Sequence, residues 1–240
     1  MRRWFSDQSL VRLSLAFWLG AFVPGVACAA DDAVLASRLE ASVFRDVWHA
    51  ILEDSGIDVQ LVEVANHEDR RRSFASGQLL LDCCSIKAWR DRQEEISVQL
   101  WSRPIFYTID HLVLQGGRTY DLPDPMNLKA YRVAVVRGFS YQREELFGPR
   151  VEYETISQVL DAVAAGQADV TIVNSQEFRR LQKMKRRPLV LGPEHYELIL
   201  RARVHNSRPD LLVKIDAAIE RLQASGRIAA LTGARLRSVN

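Results

Sequence analysis

The chain has 240 residues, 48% of them hydrophobic, with 32 Lys and Arg against 30 Asp and Glu and a formal charge of +2. That length suffices for one large domain or two small lobes. So even a charge balance excludes the concentrated basic footprint that nucleic-acid binding rewards, and no internal repeat or low-complexity tract points to a solenoid or a disordered chain.

The first thirty residues read as a secretory signal peptide. Arg2, Arg3 and Arg12 give a positive front, residues 13–26 an apolar core, and Ala27-Cys28-Ala29-Ala30 small residues before Asp31. The apolar stretch is shorter than the ~20 residues a membrane-crossing helix needs, and Pro24-Gly25 breaks it. Cys28 has Gly25 three residues before it rather than a branched aliphatic, which disfavours a lipoprotein. Cleavage is expected near Ala29 or Ala30, giving a periplasmic product. Without residues 1–30 the chain carries 29 basic and 29 acidic residues.

The remaining chain alternates strand and helix signals. Residues 33–39 read as a strand, followed by a helix with Val43, Phe44, Val47, Trp48, Ile51 and Leu52 on one face and Gly56 as its stop. Residues 59–64 alternate like a strand, 66–76 form a charged helix closed by Gly77, and 79–84 are a continuous apolar strand. This βαβαβ order predicts a parallel sheet with right-handed crossovers. The strand ends on Cys83 and Cys84. Adjacent Cα atoms sit ~3.8 Å apart across a trans peptide, below the ~4.4–6.8 Å usual for a disulfide. Two readings stand: a pair of small apolar side chains, or a vicinal disulfide shaping a loop in an oxidising compartment.

Residues 111–115 form a strand leaving this unit, with Gly116-Gly117 as a flexible joint. A second α/β unit follows: a strand at 132–136, a turn at 138–141, and a short helix at 142–147. Thr155 or Ser157 then caps a helix presenting Ile156, Val159, Leu160 and Val163 and stopped by Gly166, with another strand at 170–173. The basic run Arg179, Arg180, Lys183, Lys185, Arg186 and Arg187 reads as a solvated face, or as a docking patch for a membrane partner or anionic lipid. Residues 198–204 look like the chain crossing back. Pro209 opens a helix with Leu212, Ile215, Ile219 and Leu222 on one stripe, and after Gly226 a last short helix runs through Leu231. The expectation is a hinged clamshell: lobe 1 from 31–115 and 203–240, lobe 2 from 116–202, and a ligand in the cleft between them, at strand C-termini and helix N-termini.

Several segments, in order, carry a family resemblance. Gly77-Gln-Leu-Leu-Leu-Asp82 resembles a Gly-x-x-Asp strand entry. Trp101-Ser-Arg-Pro-Ile-Phe-Tyr107 resembles Phe-Ser-x-Pro-Tyr, and residues 128–138 resemble Leu-x-Gly-x-x-Val-x-Val-x-x-Gly. Ala165-Gly-Gln-Ala-Asp-Val-Thr-Ile-Val-Asn174 resembles a Gly-x-x-Asp-Ala strand. Together they are similar to the family-3, polar-amino-acid type of periplasmic solute-binding proteins. The resemblance implies an α/β fold of the periplasmic-binding-protein-like type II, two lobes joined by a two-crossing hinge. It further implies a monomer, without cofactor or metal, that captures a small solute for an inner-membrane ABC permease or a sensor.

In that family an Arg after the first lobe's strand clamps the ligand carboxylate, which suits a planar guanidinium fork. Residues 83–92 are shorter than that pattern and lack its Thr-Pro-Glu-Arg, so Arg90 is the first candidate and Arg92 the second. Ser85 and Trp89 lie in the same segment, Trp89 as a cleft wall or as core. The family's second-lobe strand commonly ends in an Asp that binds an ammonium, and the matching residue here is Asn174. The resemblance with that exchange predicts a carboxylate or neutral polar ligand rather than an ordinary α-amino acid. Gly138, Phe139 and Ser140 occupy a turn offering backbone N–H groups and a hydroxyl to an anion, or Ser140 is a plain N-cap. Asp169 reads as structural.

An enzyme on the same scaffold, dehydratase-like, is the alternative from another class, with Asp110, His111 and Glu40 as the available acid–base groups. A ligand-sensing module for a membrane receptor is a third. His49, His67, His111, His195 and His205 show no metal-ligand spacing.

Overall fold

β1 (Val34–Ser37) opens the fold and runs into α1 (Val43–Ser55), in a computed structural model that describes residues 33–233. Ser42 caps α1 by accepting from the Arg45 N–H, and Gly56, at φ +63°, closes it in the left-handed conformation that glycine adopts without strain. The helix buries Val43, Val47, Trp48, Ile51 and Leu52, and Trp48 Nε1 donates to Ser37 O at 3.1 Å, tying helix to strand. β2 (Val59–Val62), α2 (His67–Ala75, capped by Asn66) and β3 (Leu81–Ser85) follow. β1 pairs in parallel with both β2 and β3, as the βαβαβ pattern predicts.

Two elements then appear that the pattern did not show: α3 (Gln93–Ile96) and β4 (Gln99–Trp101). The next strand, β5 (Phe106–Gln115), is twice the predicted length, and the crossing back is the 17-residue β9 (Leu189–His205). Asp110, Glu194 and Glu197 interrupt the apolar runs inside these strands, so hydrophobicity alone truncates them.

Between them lie β6 (Val133–Val136), β7 (Arg150–Tyr153), α4 (Ile156–Ala164), β8 (Val170–Asn174) and α5 (Ser175–Met184). Thr155 rather than Ser157 is the α4 cap, in a reciprocal capping box with Gln158. The helix expected at 142–147 is a single 3-10 turn, Glu144–Leu146. Half of the basic run, Arg179, Arg180 and Lys183, lies on α5, whose inner face carries Phe178 and Leu181. α6 (Pro209–Ala224) and α7 (Arg227–Thr232) end the described chain.

The strand order is β2-β1-β3-β9-β5-β8-β6-β7, with β4 also on β9. The C-terminal part of β9 belongs to the first sheet region, antiparallel to β3 and β4. The rest of β9 pairs with β5, which pairs in turn with β8. Two strands therefore cross between regions, as the two-crossing reading expects. One core lies under α1, α6 and α7, around Trp48, Ile51, Ile215, Ile219 and Ile228. Two others clothe both faces of the second region, one around Val159, Leu160 and Phe178 and one around Leu112, Leu128 and Val135. Each fully buried aliphatic side chain contributes ~1.5–3 kcal/mol. The described residues from 33 onward form one compact unit.

Candidate functional site

At the end of β3 the register against β9 slips: Asp82 faces Arg203 and Ser85 faces Arg201, so three steps on one strand meet two on the other. Cys83 and Cys84 lie inside that bulge. Of the two readings of this pair the structure has the vicinal disulfide, with sulfurs 2.05 Å apart across a cis peptide. Ser85 behind it is buried, and a 3-10 turn (Lys87–Trp89) leads to Arg90. Trp89 is half-buried. Gln99 Nε2 donates to Arg90 O at 2.8 Å, anchoring the Arg90 backbone on β4.

Beneath this turn sits an ionic network. Arg203 is fully buried over the Phe74 ring, 4.2 Å from its centroid. It donates to Asp82 at 2.6 and 3.1 Å and to Glu95 at 2.6 Å. Arg71 also holds Glu95, with Nε at 2.8 Å. Arg70 lies 3.8 Å from the other Asp82 oxygen and bonds His67 Nδ1. Arg90 forms no ion pair among the described residues, and its Nε is buried without a hydrogen-bond partner.

The electrostatics follow. Burial, together with the nearby Arg203, lowers the Arg90 guanidinium to about 10. Burial, then Arg70 and Arg90, lowers His67 to about 4, so its ring is a neutral acceptor for Arg70. Burial pushes the Asp82 carboxyl up, but Arg203, Arg70 and Arg90 outweigh it and hold the group well below the usual carboxylate range.

His67 carries this cluster to the second region: its ring meets Phe139 edge-on at 4.6 Å, next to Gly138. A Cβ on Gly138 would stand 3.2 Å from that of His67, so backbone and side chain meet closely there. Phe139 also packs toward Tyr141, and Ser140 is half-buried. Because the segment after Ser140 is only a 3-10 turn, the helix N-terminus expected to face an anion there does not exist. Asn174 is buried opposite Asp110, and its side-chain oxygen accepts from Glu177 N at 2.9 Å, capping α5. Glu177, buried, accepts from the Val43 N–H at the start of α1 at 3.3 Å, and its partner Arg180 donates to Ala41 O at 2.7 Å. Thr108 and Gln176 are also hydrogen-bonded.

The other candidates lie elsewhere. Arg92 is exposed and bidentate to Glu68, at 2.6 and 2.9 Å. Glu40 is exposed. Asp110 is raised to about 7 by burial alone, but its strand neighbour His111 projects to the opposite face and bonds Gly192 O, so no single site gathers the two. Asp169 accepts from the Arg132 backbone and holds Arg118 and Arg132, a structural anchor for β6. Among the described residues no cluster of His, Cys, Asp and Glu is arranged to hold a metal. Arg90 also borders an open hollow of about 690 Å³ lined by Lys87, Gln99 and Trp101.

Sequence reasoning reached Arg90 but not its neighbours in the network, Arg70, Glu95 and Arg203. The available signal was Arg203 itself, which with Arg201 is one of two charged residues in the otherwise apolar stretch 198–204, where a buried one calls for a counter-ion.

No protein-family model and no curated protein matches the sequence. The fold is similar to that of the GluR0 ligand-binding core in complex with L-glutamate, at TM-score 0.72 and 15% identity over 85% of this chain and 98% of that one. It is also similar to the arginine-, lysine-, histidine-binding protein ArtJ of Geobacillus stearothermophilus, at TM-score 0.66 and 15% identity over 86% and 97%. A histidine kinase sensor domain with similarity to periplasmic binding proteins matches at TM-score 0.67 and 16% identity, over 84% and 95%. The chain thus has the mixed α/β fold of these proteins, the periplasmic-binding-protein-like type II fold.

Proposed function

We propose that this chain, with its periplasmic-binding-protein-like type II fold, is an exported binding protein that closes two lobes around a small anionic solute. The lobes are assigned as 31–115 with 203–240, and 116–202, with residues 1–30 as the export signal. The signal segment lies outside the described residues.

One observation carries the reading. Arg90 is a largely buried guanidinium with an unpartnered Nε, beside Glu95, which is committed to Arg71 and Arg203, and Asp82, whose Oδ2 is committed to Arg203. Withdrawing such a cation from water is costly unless an anion meets it, and a ligand carboxylate or similar group supplies that anion. Ser85, Trp89, Phe139 and Ser140 would line the same space. Asn174 is neutral and committed to the α5 cap, so it offers no charge to an ammonium. This favours a carboxylate over an ordinary α-amino acid. Closure by hinge motion about β5 and β9 would then present the loaded form to an inner-membrane ABC permease.

The likeness to a histidine kinase sensor domain favours one second reading, a module that reports its ligand to a membrane receptor. A thermal-shift screen of carboxylates and amino acids, followed by calorimetry and small-angle scattering, tests the binding reading. A carboxylate that raises the melting temperature and contracts the particle supports it. A folded protein stabilised by no solute sinks it.

A further inference from the structure

Arg90 is not the only cation left over beside β3. The network holds four guanidinium groups, Arg70, Arg71, Arg90 and Arg203, and two carboxylates, Asp82 and Glu95. Arg203 binds both carboxylates at 2.6 Å, and Arg71 completes the shell of Glu95. Arg70 is offered only the far oxygen of Asp82, at 3.8 Å, beyond hydrogen-bond distance. That oxygen has no hydrogen-bond partner of its own. Two positive charges therefore exceed the internal supply of negative ones.

Arg70 is also held in place. Its side chain is 16% exposed, and it bonds His67 Nδ1. The His67 ring is fixed in turn by the edge of Phe139 across the seam. A guanidinium has five N–H donors, so this one bond leaves most of the fork available. The depressed His67 records both Arg70 and Arg90 close by, and Asp82 feels both as well. The two leftover cations thus converge on the place where the sheet regions meet.

We infer that the solute is a dianion without an ammonium group, one negative group taken by Arg90 and the other by Arg70 as positioned by His67. The inference rests on the proposed binding role and narrows its ligand class. Two sources share this chemistry: a dicarboxylate whose two ends span the guanidinium groups, and a phosphate group held between them.

The test uses the purified protein with succinate, inorganic phosphate, acetate and L-glutamate, each titrated by calorimetry at fixed ionic strength. Succinate or phosphate is expected to bind about 10–100-fold more tightly than acetate, the gain of a second charge-assisted bond. Whichever of the two binds names the source, and L-glutamate, with its ammonium, is expected to bind more weakly than succinate. Arg70→Gln should bring the dianion down to the acetate level, while Arg90→Gln removes binding of both. If Arg70→Gln does not fold, the dianion-to-acetate ratio of the unaltered protein decides alone. Acetate binding as tightly as both dianions, tighter binding of L-glutamate, or full dianion affinity in Arg70→Gln overturns the dianion while leaving anion capture intact. Binding of none of the four overturns the anionic reading as a whole.

Discussion

The two sheet regions bury polarity in opposite ways. Around β3 and β9, Asp82, Glu95 and Arg203 form an ionic knot with essentially no solvent exposure. Around β6 and β8 several interior polar groups are neutral: Thr171 donates to Ala134 O at 2.7 Å, Tyr141 accepts from the Val136 N–H at 2.9 Å, and Asn174 caps α5. Charges buried there pair outward instead, Asp169 with Arg118 and Arg132 and Arg187 with Asp161, partners that keep roughly half their side chains in water. The first region gathers its charges into one buried knot while the second spreads them toward solvent and toward the seam, as with Glu177 and Arg180, so the same perturbation has unequal effects on the two.

The largest expected effect is at the knot. Arg203→Met leaves Asp82 and Glu95 in the interior with too few cations and should destabilise by about 3–5 kcal/mol in urea denaturation. Adding Asp82→Leu to that variant should reduce the loss, since a buried charge and its penalty go together. A single variant no weaker than the unaltered protein would refute the contrast between regions. Next in size is the contact between them. Glu177→Ala removes the acceptor of the Val43 N–H and the partner of Arg180, at about 1–3 kcal/mol, with a larger radius of gyration by small-angle scattering. Smaller again is Thr155→Ala, which undoes the α4 capping box in the second region and should lower stability by about 1 kcal/mol, read from the melting temperature.

Acidity sharpens the comparison further. Asp110, raised by burial from 3.8 to about 7, keeps a proton in the folded protein that the unfolded chain has already released. Its contribution therefore weakens stability as pH rises from about 4 to 7, and Asp110→Asn should flatten that decline. His67, lowered from 6.5 to about 4, acts the other way: the unfolded chain takes up the proton first, so stability falls as pH drops through that interval. His67→Gln should remove that part. Melting temperatures from pH 4 to 8 for both variants separate the two contributions.

Much of the fold was written locally. α1 and α6 announce themselves by apolar spacing and by Gly56 and Pro209, and the βαβαβ entry by alternating runs. β7 escaped because it lies at the end of the strand order and reads Arg-Val-Glu-Tyr, with its charged residues exposed. α5 escaped because its basic surface outweighs the few apolar residues of its inner face. The candidate site is harder for a different reason. Arg203 and Asp82 are separated by 121 positions in the chain, and only strand register brings them face to face. Arg70, on a helix of mixed charge, differs from its neighbours only through what the fold puts beside it. Adjacent residues, by contrast, left the state of Cys83 and Cys84 open, because spacing alone does not say which peptide geometry a bulge will take.

That pair has a last consequence. A cross-link between neighbours encloses no stretch of chain, so it removes almost none of the unfolded ensemble's freedom. Cutting it with a reductant should leave the melting curve nearly where it was. The change would be confined to the pitch of one strand end and the platform beneath Arg90, a tuning peg for the guanidinium rather than a brace for the protein.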